Sequence, residues 1–170
     1  MKKCIILQIN YLILICLFIP CVAIAQPICQ IQRFSAYNGL AQRSVTNILQ
    51  DSKGFIWFST WNGLNKFDGY TFKNYKAFPG DGCTLTSNRL AKITQTQTCD
   101  IWCQTYDLRI YLFDSRREKF IDILRPYENE KQQTYAVQNV YTLPKGVSWI
   151  VCDRGAFRID EQAYKAQEGE

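Results

Sequence analysis

Residues 51–72, DSKGFIWFSTWNGLNKFDGYTF, decide how this chain folds. An apolar run around Trp57 lies between two turn glycines, Gly54 and Gly63, and a second short run ends at Asp68-Gly69. Asp-Gly between alternating apolar runs signals a hairpin, because both residues accept the backbone angles of a tight turn. The stretch therefore reads as short strands joined by turns. A unit this small cannot bury a core by itself.

The unit recurs. Trp57, Trp102 and Trp149 stand 45 and 47 residues apart, and Asp68, Asp114 and Asp160 close short apolar runs at intervals of 46. After each tryptophan comes a polar turn, an apolar alternation and an aspartate, in NGLNKFD, DLRIYLFD and RGAFRID. Gly63 and Gly155 match in these segments, and Leu108 holds the same place in the middle one. A period near 46 built from short strands indicates four-stranded propeller blades. The expected fold is all-β, a partial β-propeller of about three antiparallel blades with the last incomplete. Strands are expected at 44–50, 54–60, 64–68 and 70–76, then at 88–95, 100–106, 109–114 and 118–123, with three more from 137. The expected organisation is an export signal (1–25), a lead-in strand (26–43), blades at 44–86 and 87–136, a partial blade at 137–160 and a tail at 161–170. No window after residue 30 combines a helical apolar period with caps, so long helices are not expected. The polar stretch 126–138, PYENEKQQTYAVQ, reads as an exposed loop.

Composition agrees. With 170 residues, 47% hydrophobic and 21% charged, the chain suits one ordinary domain with a packed core. A net charge of +5 without a basic block argues against a nucleic-acid partner. The chain has no histidine. That removes the commonest general base and metal ligand, and any phosphoryl-accepting histidine. No metal or other cofactor is expected.

The first 25 residues read as an export signal: Lys2 and Lys3, an apolar stretch from Ile5 to Ile19, then Ala23-Ile24-Ala25 as the cleavage pattern before Gln26. The competing reading is an uncleaved membrane anchor, and a lipid-modified Cys21 or Cys29 is disfavoured by the preceding Pro20 and Ile28. A periplasmic location follows, with the membrane touched only through this segment. An oxidising compartment permits disulfides among Cys29, Cys83, Cys99, Cys103 and Cys152. Their odd number and irregular spacing favour small buried hydrophobes with a loose thiol, and their pairing stays open.

Residues that return once per unit are most simply packing devices, so Trp57, Trp102 and Trp149 are expected in the blade core. Phe55, Ile56, Phe58 and Ile101 are expected beside them. Trp61 does not recur: Tyr106 and Asp153 take its place. It falls in the turn after the second strand, where a loop reaches the propeller rim and can carry function. Trp61, with Asn62, Asp107, Arg109 and Arg154 as polar neighbours, is the candidate ligand-binding set. The competing reading folds the Trp61 ring down on its own blade. No catalytic residues are assigned, because turn chemistry explains Asp51, Asp68, Asp100, Asp107, Asp114 and Asp153.

The segment FSAYNGLAQRSVTNILQDSKGFIWFSTWNGLNKFDGYTFKNY (34–75) resembles the two-component regulator propeller repeats. The second unit matches in spacing but carries Gln97-Thr98-Cys99-Asp100 where a glycine turn is usual, and the third keeps VSWIVCDRGAFRID. The resemblance implies a non-catalytic extracytoplasmic sensor region of a hybrid two-component system. It also implies an oligosaccharide ligand, with the remainder of the sensor chain or a second copy in a dimer as protein partner. A closed propeller needs about four to eight blades. The expectation is therefore a fragment of the sensor, lacking the kinase module. Two alternatives stand beside it. One is a propeller-fold glycosidase or lyase, since DSKGFIW resembles the aspartate-box turn with Asp51 one place off. The other is a propeller for protein partners.

Overall fold

The computed structural model describes residues 29–78, 85–127 and 134–167. The chain divides into two compact units, Met1–Arg33 and Phe34–Glu170. The expected export signal (1–25) lies outside the described residues.

The second unit holds three antiparallel sheets in simple up-and-down order. The first comprises β1 (Val45–Gln50), β2 (Ile56–Thr60), β3 (Gly63–Phe67) and β4 (Phe72–Tyr75). The second comprises β5 (Leu90–Gln95), β6 (Ile101–Thr105), β7 (Ile110–Asp114) and β8 (Lys119–Ile121). The third comprises β9 (Val137–Leu143), β10 (Val147–Cys152) and β11 (Gly155–Asp160). A short helix, α1 (Glu161–Gln167), follows where a tail was expected. The fold is thus the expected all-β set of blades, with strands of 4, 4 and 3.

The turn aspartates explain the hairpins. Asp68 Oδ1 accepts the N–H groups of Tyr70 and Thr71 at 2.8 and 2.7 Å. Asp114 Oδ1 accepts those of Arg116 and Arg117 at 2.8 and 3.1 Å. Asp160 Oδ1 accepts those of Gln162 and Ala163 at 3.1 and 3.0 Å, but here the chain enters α1 and the aspartate is an N-cap. One local device, a carboxylate satisfying the two or three following N–H groups, opens a hairpin twice and a helix once.

The sheets account for one of the two residues by which the Trp102–Trp149 interval exceeds the Trp57–Trp102 interval. Blades 1 and 3 turn from second to third strand in two residues, with Thr60 opposite Gly63 and Cys152 opposite Gly155. Blade 2 pairs Gln104 with Ile110, and Thr105 N–H bonds Arg109 O at 3.0 Å, so its turn holds the three residues Tyr106, Asp107 and Leu108. Leu108 takes the left-handed conformation there (φ +60°), as Gly63 (+98°) and Gly155 (+139°) do in theirs.

Two apolar layers fill the spaces between blades. Trp57 (2% exposed) stacks on Tyr75 at 5.9 Å and meets Phe113 of blade 2 edge-on at 5.7 Å. Its indole N–H donates to Asp51 Oδ2 at 2.8 Å. Asp51 Oδ1 also accepts the N–H groups of Lys53 and Phe55, both at 2.9 Å. Trp102 (1% exposed) fills the second layer, between blades 2 and 3. Thr96 stands where Asp51 does, and its hydroxyl bonds stay within its own turn: it accepts Asp100 N–H at 2.9 Å, donates to Asp100 O at 3.2 Å and meets Thr98 Oγ1 at 3.0 Å. The Trp102 indole therefore turns to the next blade and donates to Ser148 Oγ at 2.9 Å. Ser148 donates to Glu161 of α1 at 2.5 Å, and the other Glu161 oxygen accepts Gln97 N–H at 2.8 Å. The first residue of α1 thereby ties blade 3 to a turn of blade 2.

Trp149 departs from the expectation of a buried core residue: it is 37% exposed, with Tyr141 and Leu143 exposed near it. The reason is position. Trp57 is covered by blade 2 and Trp102 by blade 3, whereas no described residue forms a further blade over Trp149. Likewise every residue of β6 and β7 is buried, because only the middle blade has a neighbour on each side. Phe55, Ile56 and Phe58 are half-buried rather than core.

Residues 34–43, expected as part of a lead-in strand, form no strand but a short 3-10 turn at Ala36–Asn38, and they cover part of one face of blade 1. Phe34 packs edge-on against Phe67 at 4.8 Å and against Phe72 at 5.7 Å. Asn65, fully buried, accepts Ala41 N–H at 2.8 Å and donates to the Phe58 and Gly63 carbonyls, both at 3.2 Å.

The described cysteines are free thiols: Cys103 and Cys152 are buried, Cys99 half-buried and Cys29 exposed. Burial pushes the Cys103 thiol pKa far above its ordinary value, so it is an inert hydrophobe. Cys83 lies outside the described residues.

Candidate functional site

The turns after the second strand of each blade share one end of the molecule. Each is fixed by an equivalent backbone bond to the residue preceding the blade's first strand. Trp61 N–H donates to Ser44 O at 3.3 Å, Tyr106 N–H to Arg89 O at 3.0 Å and Asp153 N–H to Ala136 O at 3.0 Å. Gly63 N–H reaches across to Asn88 O at 2.8 Å, and Val137 N–H to Leu108 O at 2.7 Å. The rim is therefore held by cross-blade backbone bonds.

On this scaffold Trp61 is 45% exposed and Tyr106 is 53% exposed. Their rings meet edge-to-face, with centroids 6.0 Å apart and planes at 83°. The Arg89 guanidinium lies 5.6 Å from the Trp61 ring centroid. This is a cation over an aromatic face at an exposed site, worth ~0.5–1 kcal/mol. Trp61 thus meets the neighbouring blade through Tyr106 and Arg89 and keeps much of its surface in solvent.

The other candidates divide by their engagement. Asn62 is half-buried; its N–H donates to Thr60 Oγ1 at 3.1 Å and its amide to Ala41 O at 3.4 Å, so it shapes the turn. Asp107 accepts from Thr86 Oγ1 at 3.2 Å and is otherwise exposed. Arg109 is half-buried; it pairs with Asp122 at 2.7 Å and donates to Tyr111 Oη at 3.2 Å. Burial alone would lower the pKa of this guanidinium, but the Asp122 and Tyr111 contacts hold it above its ordinary value. Arg109 therefore acts first as a brace under the rim. Arg154 is exposed and pairs with Asp153 at 3.6 Å. The structure brings Trp61 beside Tyr106 and Arg89, neither of which the sequence pattern placed in the site. Tyr106 was visible as the residue in the position of Trp61. Arg89 precedes a strand and meets Trp61 only across a blade boundary.

Among the described residues no group of three or more His, Cys, Asp or Glu side chains could hold a metal. No described helix is long and apolar enough to cross a membrane. Asp51, Asp68 and Asp114 each accept N–H groups of their own turns.

Residues 39–62 match the model of the two component regulator propeller. A histidine kinase, P4, of Formosa agariphila is 47% identical over 53 residues, covering 31% of this chain and 4% of that protein. The extracellular domain of a putative hybrid two component system from B. thetaiotaomicron superposes with a TM-score of 0.62 at 26% identity, over 78% of this chain and 19% of that one. A second such domain from the same organism superposes with a TM-score of 0.51 at 22% identity, over 70% and 17%, and supports the fold alone. The chain spans a small part of each relative's length. It resembles part of the extracellular sensor domain of hybrid two-component systems.

Proposed function

We propose that this chain, which carries the two component regulator propeller repeat, supplies rim-forming blades of a periplasmic sensor that binds an oligosaccharide and relays its presence across the membrane. In this reading the chain is non-catalytic, the export signal is removed after Ala25, and the protein partner is the rest of the sensor or a second copy. The supporting observation is the exposed pair Trp61–Tyr106, set at right angles on the rim. An aromatic face is a low-entropy platform for the apolar face of a sugar ring, and a second ring at 83° forms a corner that fixes the sugar's position. Exposed loops on a rigid scaffold are where such contacts are carried.

Calorimetric titration of the purified chain with neutral and acidic oligosaccharides tests this. The expected result is binding that Trp61→Ala or Tyr106→Ala weakens at least tenfold, without release of reducing ends. Absence of binding across the panel, or binding unchanged in both variants, overturns the sensor-rim reading. Steady release of reducing ends favours a carbohydrate-active enzyme instead.

A further inference from the structure

Two positions on the rim break the repeat, and they meet. Trp61 has Tyr106 and Asp153 as its counterparts, and Arg89 has Ser44 and Ala136, each identified by the same backbone bond. A residue that packs blades together is expected to recur. Trp61 and Arg89 do not recur, yet the fold sets the guanidinium of one 5.6 Å from the ring centroid of the other. Both side chains are exposed, and Arg89 forms no salt bridge among the described residues. This distinguishes it from Arg109 and Arg154, whose charges face Asp122 and Asp153.

From this we infer that the rim takes an acidic oligosaccharide, with a sugar ring against Trp61 and Tyr106 and a carboxylate or sulfate on Arg89. The inference rests on the oligosaccharide reading above and names the class of sugar. The chemistry is direct. A guanidinium held over an indole face at this distance can turn its in-plane N–H groups to solvent, and these match two oxygens of an anion in a bidentate pair. The ring limits the rotamers of the arginine, so less freedom is lost when the anion binds. A lysine would supply the charge without the fork.

The test uses the full chain and three matched probes: tetragalacturonate, its methyl ester, and a sulfated chondroitin tetrasaccharide, each titrated by calorimetry at two salt concentrations. The expected result is that at least one anionic probe binds tenfold or more tighter than the methyl ester, and that added salt narrows the gap. Arg89→Gln should remove the preference, so that the anionic probes and the ester bind that variant with similar affinity. Arg89→Lys should restore only part of it. Trp61→Ala should weaken all three probes together. Preference for tetragalacturonate assigns a carboxylate as the recognised group, and preference for the chondroitin tetrasaccharide assigns a sulfate when chemical desulfation of that probe removes it. If both anionic probes bind no more tightly than the ester, the inference fails while the oligosaccharide reading stands. It fails in the same way if Arg89→Gln leaves the preference intact. If no probe binds, both fail.

Discussion

Gly63 is the position where the rim turn leaves least room, and Gly63→Ala is the sharpest test of the blade geometry. Its φ of +98° lies where an L residue is strained. A Cβ there would also stand 2.3 Å from Tyr75 O and 2.9 Å from Lys76 Cβ. The nearest obstacle is backbone of the paired strand, since Leu64 faces Tyr75 in the β3–β4 ladder. Relief therefore means moving β4 or the turn, and Gly63 N–H is also committed to Asn88 O of the neighbouring blade at 2.8 Å. Left-handed strain costs ~1–2 kcal/mol, and the stiffer unfolded chain returns ~0.4–1 kcal/mol of it. Overpacking adds ~1–3 kcal/mol. Gly69→Ala is the control, because Gly69 has a similar φ of +101° but nothing within 4 Å of the added carbon. Strain alone predicts a loss of about 1 kcal/mol for Gly69→Ala, against about 2–4 kcal/mol for Gly63→Ala. Urea unfolding followed by tryptophan fluorescence reads both. Equal losses would refute the reasoning: they would mean that the turn relaxes toward the φ of +60° that Leu108 adopts, without disturbing the ladder.

Asp51→Ala removes the acceptor of the Trp57 indole and of two turn N–H groups, and should cost ~2 kcal/mol in the same assay; an unchanged midpoint contradicts the assigned role. Leu108→Asn should gain ~0.5–1 kcal/mol, because asparagine tolerates the left-handed turn and Leu108 is half exposed, so little burial is lost. Hydrogen bonds from Lys73 and Tyr75 lower the Glu118 pKa below its ordinary value. Its contribution is therefore present above the unfolded carboxylate pKa of ~4.3 and lost as pH falls through the lower folded value. Glu118→Gln should flatten stability over that acidic window, and an unaltered pH profile removes the assignment. The open face bearing Tyr141, Leu143 and Trp149 should cause concentration-dependent association in sedimentation experiments. Trp149→Glu should reduce it, and a monomer at all concentrations speaks against an adhesive face.

Trp57, Asp68 and their counterparts made the blades legible, because hairpins are written locally: strand alternation has a period of two, and a turn aspartate serves the next few N–H groups. The same local signals could not say what each unit would meet. Asp68, Asp114 and Asp160 make the same bonds, yet only the first two open hairpins, since the chain after Asp160 enters a helix whose Glu161 is bound by Ser148 and Gln97. Trp149 carries the same signal as Trp57 and Trp102 but stays exposed, because burial needs a neighbouring blade and not merely a period. At the rim, the sequence singled out Trp61 as the residue that does not repeat. Tertiary structure alone decided that its partners are Tyr106 and Arg89, and that Arg109 is held by Asp122 beneath them. Strands and turns follow from residues a few positions apart, whereas Trp61 meets Arg89 and Tyr106, 28 and 45 positions on, across a blade boundary that only the stacking of the sheets creates.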